Sequence, residues 1–417
     1  MVTRKVAITG SQNRYGYVVV VFSFLIQAIG LSLITGFGLF FNPMLAEFGW
    51  SRATISAAST INAFSSGLAS IPTGILNDRF GPRIVMAIYG IIFGLGFILI
   101  SRVNSPWQLY LAFGVAVGIG MTAINIVLLS TIARWFATRR SMMTALVKAG
   151  AGVGIFIMPF IITALIQNSG WRKTTLFLGV ASLAIMVISA QFLRRAPVQE
   201  ETPLNSEGQS NHAVIKENES GLSFREASKT RQFWLVCLAF AAFTYSFQTV
   251  QLHIVPYAED SGISAASAAV IISIIGIVSI AGRLALGYIG DKWGTKQGFI
   301  FVCLILMTAL VWLLTTRGLT MLYLFAGIYG MFHGGLQTII SPVVASLFGT
   351  RNMGSIFGAT SSFGTIIGSL GGFLTGYFYD RLGSYTVAFL VCLGLAILGL
   401  VALLFIQPVL KGQSVKS

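Results

Sequence analysis

The sequence predicts an all-α membrane protein, with twelve transmembrane helices in two six-helix halves that repeat each other. Three observations carry this. Of 417 residues, 55% are hydrophobic and 9% charged, far below the roughly 25% charge of an ordinary soluble chain. Twelve continuous apolar runs can be read between the charges, and about 20 such residues suffice to cross ~30 Å of hydrocarbon as a helix. One loop motif also occurs twice, 213 residues apart.

In order, the runs cover 16–41, 53–76, 84–101, 106–133, 141–167, 174–193, 232–256, 263–288, 297–316, 319–347, 353–379 and 385–408. They do not alternate over about 10 residues, as the strands of a membrane barrel would. No small-residue cleavage site follows the first run, so it is expected to be a retained helix. Between the sixth and seventh runs the pattern breaks. Residues 194–231 are polar, and VQEETPLNSEGQSNHAVIKENESG (198–221) has too few apolar side chains to bury a core, so it reads as flexible linker. LSFREASKTRQFW (222–234) follows as a short interfacial helix. The predicted division is six helices over 1–193, a cytoplasmic linker over 194–231, and six helices over 232–417.

The net charge of +15 could suggest a nucleic-acid partner, but its distribution favours membrane topology. Of 27 Lys and Arg, 19 lie on one side when both ends are placed in the cytoplasm. Six lie on the other: Arg52, Arg102, Arg172, Lys173, Arg317 and Arg381. This bias sets a multi-pass orientation in the cell (inner) membrane with cytoplasmic termini, and the partners are lipid rather than nucleic acid. Cys237, Cys303 and Cys392 fall within runs at no metal spacing, so neither disulfide nor zinc is expected. No segment assembles a nucleophile, a base and an orienting acid, so no enzyme, cofactor or metal site is expected.

The remaining two cations, Lys148 and Arg283, lie inside runs. Arg283 sits in SGISAASAAVIISIIGIVSIAGRLALGYIG (261–290), otherwise uncharged. A basic residue near the middle of a membrane helix costs about 2.5–3.5 kcal/mol even on lenient scales, so it usually faces a wet cavity and a partner. All 12 Asp and Glu fall in loops or at run ends, which makes an anionic ligand the leading candidate. The alternative is a side chain snorkelling to the headgroups, and for Lys148 the two readings are balanced.

The repeated motif is G-x3-D-x2-G. Its first copy is GILNDRFGPR, with Gly74, Asp78, Arg79 and Gly81; its second is GYIGDKWGTK, with Gly287, Asp291, Lys292 and Gly294. A weaker third copy, GYFYDRLG, spans 376–383. The first glycine lets two helices approach, the aspartate caps or pairs at its turn, and the second glycine ends the turn. Two copies in register, with twelve runs, resemble the major facilitator superfamily. The resemblance implies two pseudo-symmetric bundles, substrate binding between them near the midplane, and alternating access by rocking.

A narrower resemblance lies in WFATRRSMMTALVKAGAGVG (135–154), with YGYVVVV (15–21), GLFF (38–41) and Gly282-Arg283. This set is similar to the monocarboxylate transporter and oxalate/formate antiporter branch, which implies small carboxylates as substrates. Animal members carry a span 1 lysine where Thr35 aligns, and a span 8 aspartate where Ser279 aligns. The antiporter carries a span 11 cation where Thr360 aligns. Lys148 occupies the repeat-related counterpart of that last position. Lys148 and Arg283 each lie eight residues from their loops, about 12 Å along a helix.

Arg283 and Lys148 are thus candidate substrate ligands, with Asn125, Gln27, Gln248, Gln251 and Tyr329 as further donors. His253 and His333 are candidate proton carriers because histidine titrates near neutrality. Glu259 and Asp260, past Pro256 at the rim, are two more, and Asp260 is alternatively a partner for Arg283 when the outer gate closes. The predicted function is proton-coupled symport of lactate-, pyruvate- or formate-like monocarboxylates, by a protein functional as a monomer. A carboxylate exchanger is the alternative within transport, and a non-transporting carboxylate sensor is the alternative from another class.

Overall fold

A computed structural model describes residues 10–50, 52–137, 139–196, 221–316 and 318–407. Most of the predicted linker lies outside the described residues. The apolar runs are helices: α1 (Gly10–Thr35), α2 (Phe41–Phe48), α3 (Arg52–Phe80), α4 (Pro82–Ile100), α5 (Pro106–Leu109), α6 (Gly118–Trp135) and α7 (Arg140–Ala190). After the linker come α8 (Phe224–Ala227), α9 (Arg231–Asp260), α10 (Ala265–Trp293), α11 (Thr295–Thr315), α12 (Leu319–Phe348), α13 (Met353–Leu382) and α14 (Thr386–Leu404).

Ten helices among the described residues are long and apolar enough to cross a membrane. α3 stands outside those ten because it carries polar side chains along its length, and it turns several of them inward. Asn62 Nδ2 donates to the Phe113 carbonyl at 2.7 Å, Thr73 and Thr122 share a hydrogen bond of 2.8 Å, and Asn77 Nδ2 donates to Ser130 Oγ at 2.9 Å. Such pairs satisfy groups that lipid cannot.

Four boundaries differ from the sequence reading. The first run does not stay α-helical to its end: α1 stops at Thr35 and a 3-10 turn over Gly36–Phe40 leads into α2, as two glycines weaken the helix there. The segment Tyr110–Val117 is a π-helix. Runs 141–167 and 174–193 share α7, whose backbone turns at Gly170 (φ 75°, ψ 161°), a conformation that favours glycine. Helix α9 continues through Pro256 to Asp260, so the proline is an internal residue rather than the end.

The Gly170 turn is fastened from α2. Glu47 accepts from Trp171 Nε1 at 2.6 Å and from Arg172 Nη2 at 2.8 Å. The Arg172 hydrogen bond holds the exposed Glu47 carboxyl below its ordinary value, with the Trp171 indole adding to it. The predicted interfacial helix is the single turn α8, closed by a capping box between Ser223 and Glu226.

Within the first half α1 and α4 pack on α7, and α3 packs on α6; within the second, α10 packs on α12 and α9 on α13 and α14. Between halves, α3 meets α13 and α10 meets α7. Small residues allow the closest crossings. A Cβ added at Gly154 of α7 would meet the Ala28 carbonyl oxygen of α1 at 1.9 Å, and backbone cannot step aside as a side-chain tip can. Gly154→Ala is expected to destabilise the first half by roughly 1–3 kcal/mol, the usual cost of overpacking. Thermal unfolding in detergent checks it, and an unchanged Tm would show that α1 and α7 can separate freely.

Candidate functional site

The two loop motifs form one device, used twice. Asp78, near the end of α3, reaches across to the first turn of α13. It accepts from the Gly354 and Ser355 amides at 2.9 and 2.7 Å and from Ser355 Oγ at 2.6 Å. Arg134 of α6 adds an ion pair at 2.5 Å. Asp291, near the end of α10, does the same to the first turn of α7, accepting from the Ser141 and Met142 amides at 2.8 and 2.9 Å. Those amides are among the orphan donors of a helix N-terminus, where the dipole favours negative charge.

The sequence predicts that each aspartate caps or pairs at the cytoplasmic turn, without naming its partner. In the structure each caps a helix of the opposite half, because the motif sits where the halves meet. Gly74 permits the approach, since a Cβ there would lie 2.0 Å from the Gly354 carbonyl oxygen. Gly287 sits the same way, 2.8 Å from Ala145 Cβ. Gly81 and Gly294 end their turns with φ of 87° and 99°. Arg79 and Lys292 are exposed and lie over aromatic rings, Phe80 at 5.2 Å and Tyr288 at 5.5 Å. Arg134 was missed as a site residue; its only signal was a cation at the close of an apolar run, which read as topology. Its Nε also donates to the Thr350 carbonyl at 3.1 Å.

Deeper in the same seam lies Arg283, on the face of α10 that meets α7. It is 2% exposed, and its Nε and Nη1 are buried without a hydrogen-bond partner. The pairing with Asp260 is not made, and Glu259 and Asp260 are exposed at the end of α9. Snorkelling is excluded by the burial. Gly152 of α7 makes the space, since a Cβ there would fall 2.7 Å from Arg283 Nη1. Lys148, one turn earlier on α7, is 5% exposed and donates from Nζ to Asn125 Oδ1 at 2.5 Å. Residues four apart share a helix face, so the two cations and Asn125 converge. Ser279, one turn from Arg283, is also buried, with its hydroxyl on the Gly276 carbonyl at 2.7 Å.

The other candidates separate. Gln27 donates to the Ile124 carbonyl at 2.8 Å and ties α1 to α6, with its Oε1 buried and unpartnered. Tyr329 is fully buried and donates to the Phe247 carbonyl at 3.2 Å. His253 is hydrogen-bonded to the Gly372 carbonyl at 2.8 Å, an ordinary tie between α9 and α13. His333 stacks on Phe247 at 4.7 Å and leaves Nδ1 buried without a partner. Thr360 is buried, with its hydroxyl on the Ile356 carbonyl at 3.0 Å. Thr35 lines a cavity of about 170 Å³ with Ser32, Gly36, Ile155 and Pro159, beginning one turn beyond Gly152 and away from the motif end.

The Major Facilitator Superfamily profile matches residues 20–372 and, in an overlapping match, 254–416. The chain belongs to that superfamily. Its relatives include monocarboxylate transporter 13 of Rattus norvegicus, 26% identical over 382 residues, which span 90% of this chain and 85% of that protein. Monocarboxylate transporter 12 of Mus musculus is 24% identical over 416 residues, covering 94% and 85%. An uncharacterised transporter of the superfamily from Escherichia coli K12, YhjX, is 28% identical over 324 residues, covering 74% and 77%. Among solved structures, the human organic anion transporter MFSD10 superposes with a TM-score of 0.71 at 17% identity, covering 94% of this chain and 99% of that one. The Escherichia coli fucose:proton symporter gives 0.69 at 15%, covering 94% and 98%. As a superfamily member related to monocarboxylate transporters, the chain is a multi-pass membrane transporter, and Arg283 lies between its two bundles.

Proposed function

We propose that the protein is a secondary active transporter of small monocarboxylates, carrying one proton with each. It works by alternating access between halves 1–193 and 232–417, joined by 194–231. The observation that carries this reading is the unpartnered, buried guanidinium of Arg283. A planar fork of donors suits bidentate carboxylate recognition, and one fixed cation neutralises one carboxylate. The names of the relatives, monocarboxylate transporters 12 and 13, point to the same substrate class. The charge bias supports an orientation with the motif loops and both ends on the cytoplasmic side of the cell (inner) membrane, with a single chain as the working unit.

Purified protein in liposomes, given labelled lactate, pyruvate or formate, is expected to accumulate label when the outside is made acidic, with no carboxylate inside. Uptake that demands internal carboxylate and ignores pH would replace symport by exchange. Absence of uptake and exchange for all three acids would reject the substrate class.

A further inference from the structure

Lys148 is a buried cation that the motif network does not use. Its Nζ lies 2.5 Å from Asn125 Oδ1, and its helix face carries Gly152, against which Arg283 packs. Residues four apart on a helix have Cβ atoms about 5–6 Å apart, so Lys148 and Arg283 share one small volume.

Among the described residues the surroundings offer no acid. From α6 comes Asn125, from α10 Arg283 and Ser279, from α12 His333, whose Nδ1 is buried without a partner, and from α1 Gln27, whose amide nitrogen donates to Ile124 while its Oε1 is unpartnered. Among the described carboxylates, Asp78 and Asp291 are bound at the motif end. Glu47 is bound by Arg172, while Glu259 and Asp260 are exposed at the end of α9. Two cations in so dry a place repel each other unless an anion intervenes or one gives up its proton. Arginine does not give up its proton in proteins, whereas a buried lysine does.

Building on the transport reading, we propose that Lys148 carries the co-transported proton. In the unloaded carrier Nζ is a neutral amine. When a carboxylate binds Arg283, Nζ takes one proton from water on the entry side. It returns that proton on the exit side as the carboxylate leaves. One negative and one positive charge thus cross together, and Arg283 stays charged throughout. Asn125 suits both states of its neighbour: Oδ1 accepts from an ammonium, and the amide NH₂, after rotation, donates to an amine lone pair.

The test compares two modes in liposomes: accumulation of labelled lactate driven by an acid exterior, with proton entry followed by an internal pH dye, and counterflow at equal pH. The counterflow that Lys148→Gln and Lys148→Met retain is expected to be insensitive to pH, and both variants are expected to lose at least tenfold in acid-driven accumulation and in proton entry. Lys148→Arg keeps the charge but cannot release a proton, and is expected to lose both as well. Rescue by Lys148→Arg would overturn the proposal in favour of a fixed anion-binding charge. Retention of proton entry in Lys148→Gln would overturn it, as would loss of counterflow in both neutral variants, or loss of proton entry in His333→Gln alone. Failure of the monocarboxylate reading shows separately, as wild-type protein inert in both modes.

Discussion

Replacing Arg283 by Gln is expected to lower carboxylate uptake by at least about 30-fold while leaving the protein as stable as before, or more so. Truncating one member of a buried charge pair typically costs about 2–5 kcal/mol of binding, and about 1.4 kcal/mol is a factor of ten. The stability half of the expectation comes from geometry. Nε and Nη1 are buried with no protein partner, and an unpaired buried charge is a burden on the fold. Removing it relieves that burden, so Tm should hold or rise. Arg283→Lys should rescue uptake only in part, because a point charge lacks the fork and cannot reach past Gly152 in the same way. Uptake and Tm measured on the same preparations decide the matter. If Tm falls together with uptake, Arg283 is holding the α7–α10 seam rather than a ligand. If uptake is unchanged in Arg283→Gln, the substrate-binding assignment is wrong.

Arg283 was legible in the sequence because a charge in an apolar run has few explanations, and the structure buries it in the seam between α7 and α10. The fold was legible for a similar reason: lipid forces every span into a continuous apolar run, and a repeated loop motif betrays a repeated half. Gly152 was not legible as the cradle for Arg283. In sequence it is one of three glycines in AGAGVG, and only the crossing of α7 and α10 selects it. Gly150 and Gly154 face α1 instead. Tyr329 and His253 each meet a backbone carbonyl, of Phe247 and Gly372, and no local pattern in the sequence shows those partners. Most such groups are satisfied within the bundle. The partners of Asp78 and Asp291 lay 276 and 150 residues away, and no local pattern specifies a contact between halves. The Gly170 turn was hidden for the opposite reason, since the charges at 172–173 marked a break but helical backbone continues on both sides.

Asp78→Asn is expected to open the motif end and to do so more strongly than Asp291→Asn. Asp78 accepts four hydrogen bonds, from two amides, one hydroxyl and one guanidinium, whereas Asp291 accepts from two amides. An asparagine keeps one acceptor oxygen and turns its NH₂ toward donors, so part of the network becomes repulsive. Losing a charged acceptor from such a set costs about 2–5 kcal/mol. That moves the equilibrium between closed and open motif ends roughly 30-fold or more, at about 1.4 kcal/mol per factor of ten. Each half keeps its own packing, so Tm should change little. Ser341 reports the event well: it is fully buried where its hydroxyl meets the Leu129 carbonyl of the other half at 3.3 Å. With Ser341→Cys as the background, modification by a water-soluble maleimide should speed up at least tenfold in Asp78→Asn and by less in Asp291→Asn. Net uptake should fall in both, because a transporter held open at one end visits the other too rarely. Equal labelling rates in Asp78→Asn and the parent would mean that apolar packing of α3 on α13, and not the carboxylate, holds this end shut. Equal acceleration by the two variants would mean that the hydroxyl and guanidinium add nothing to the two amides, and the ranking by donor count would be wrong.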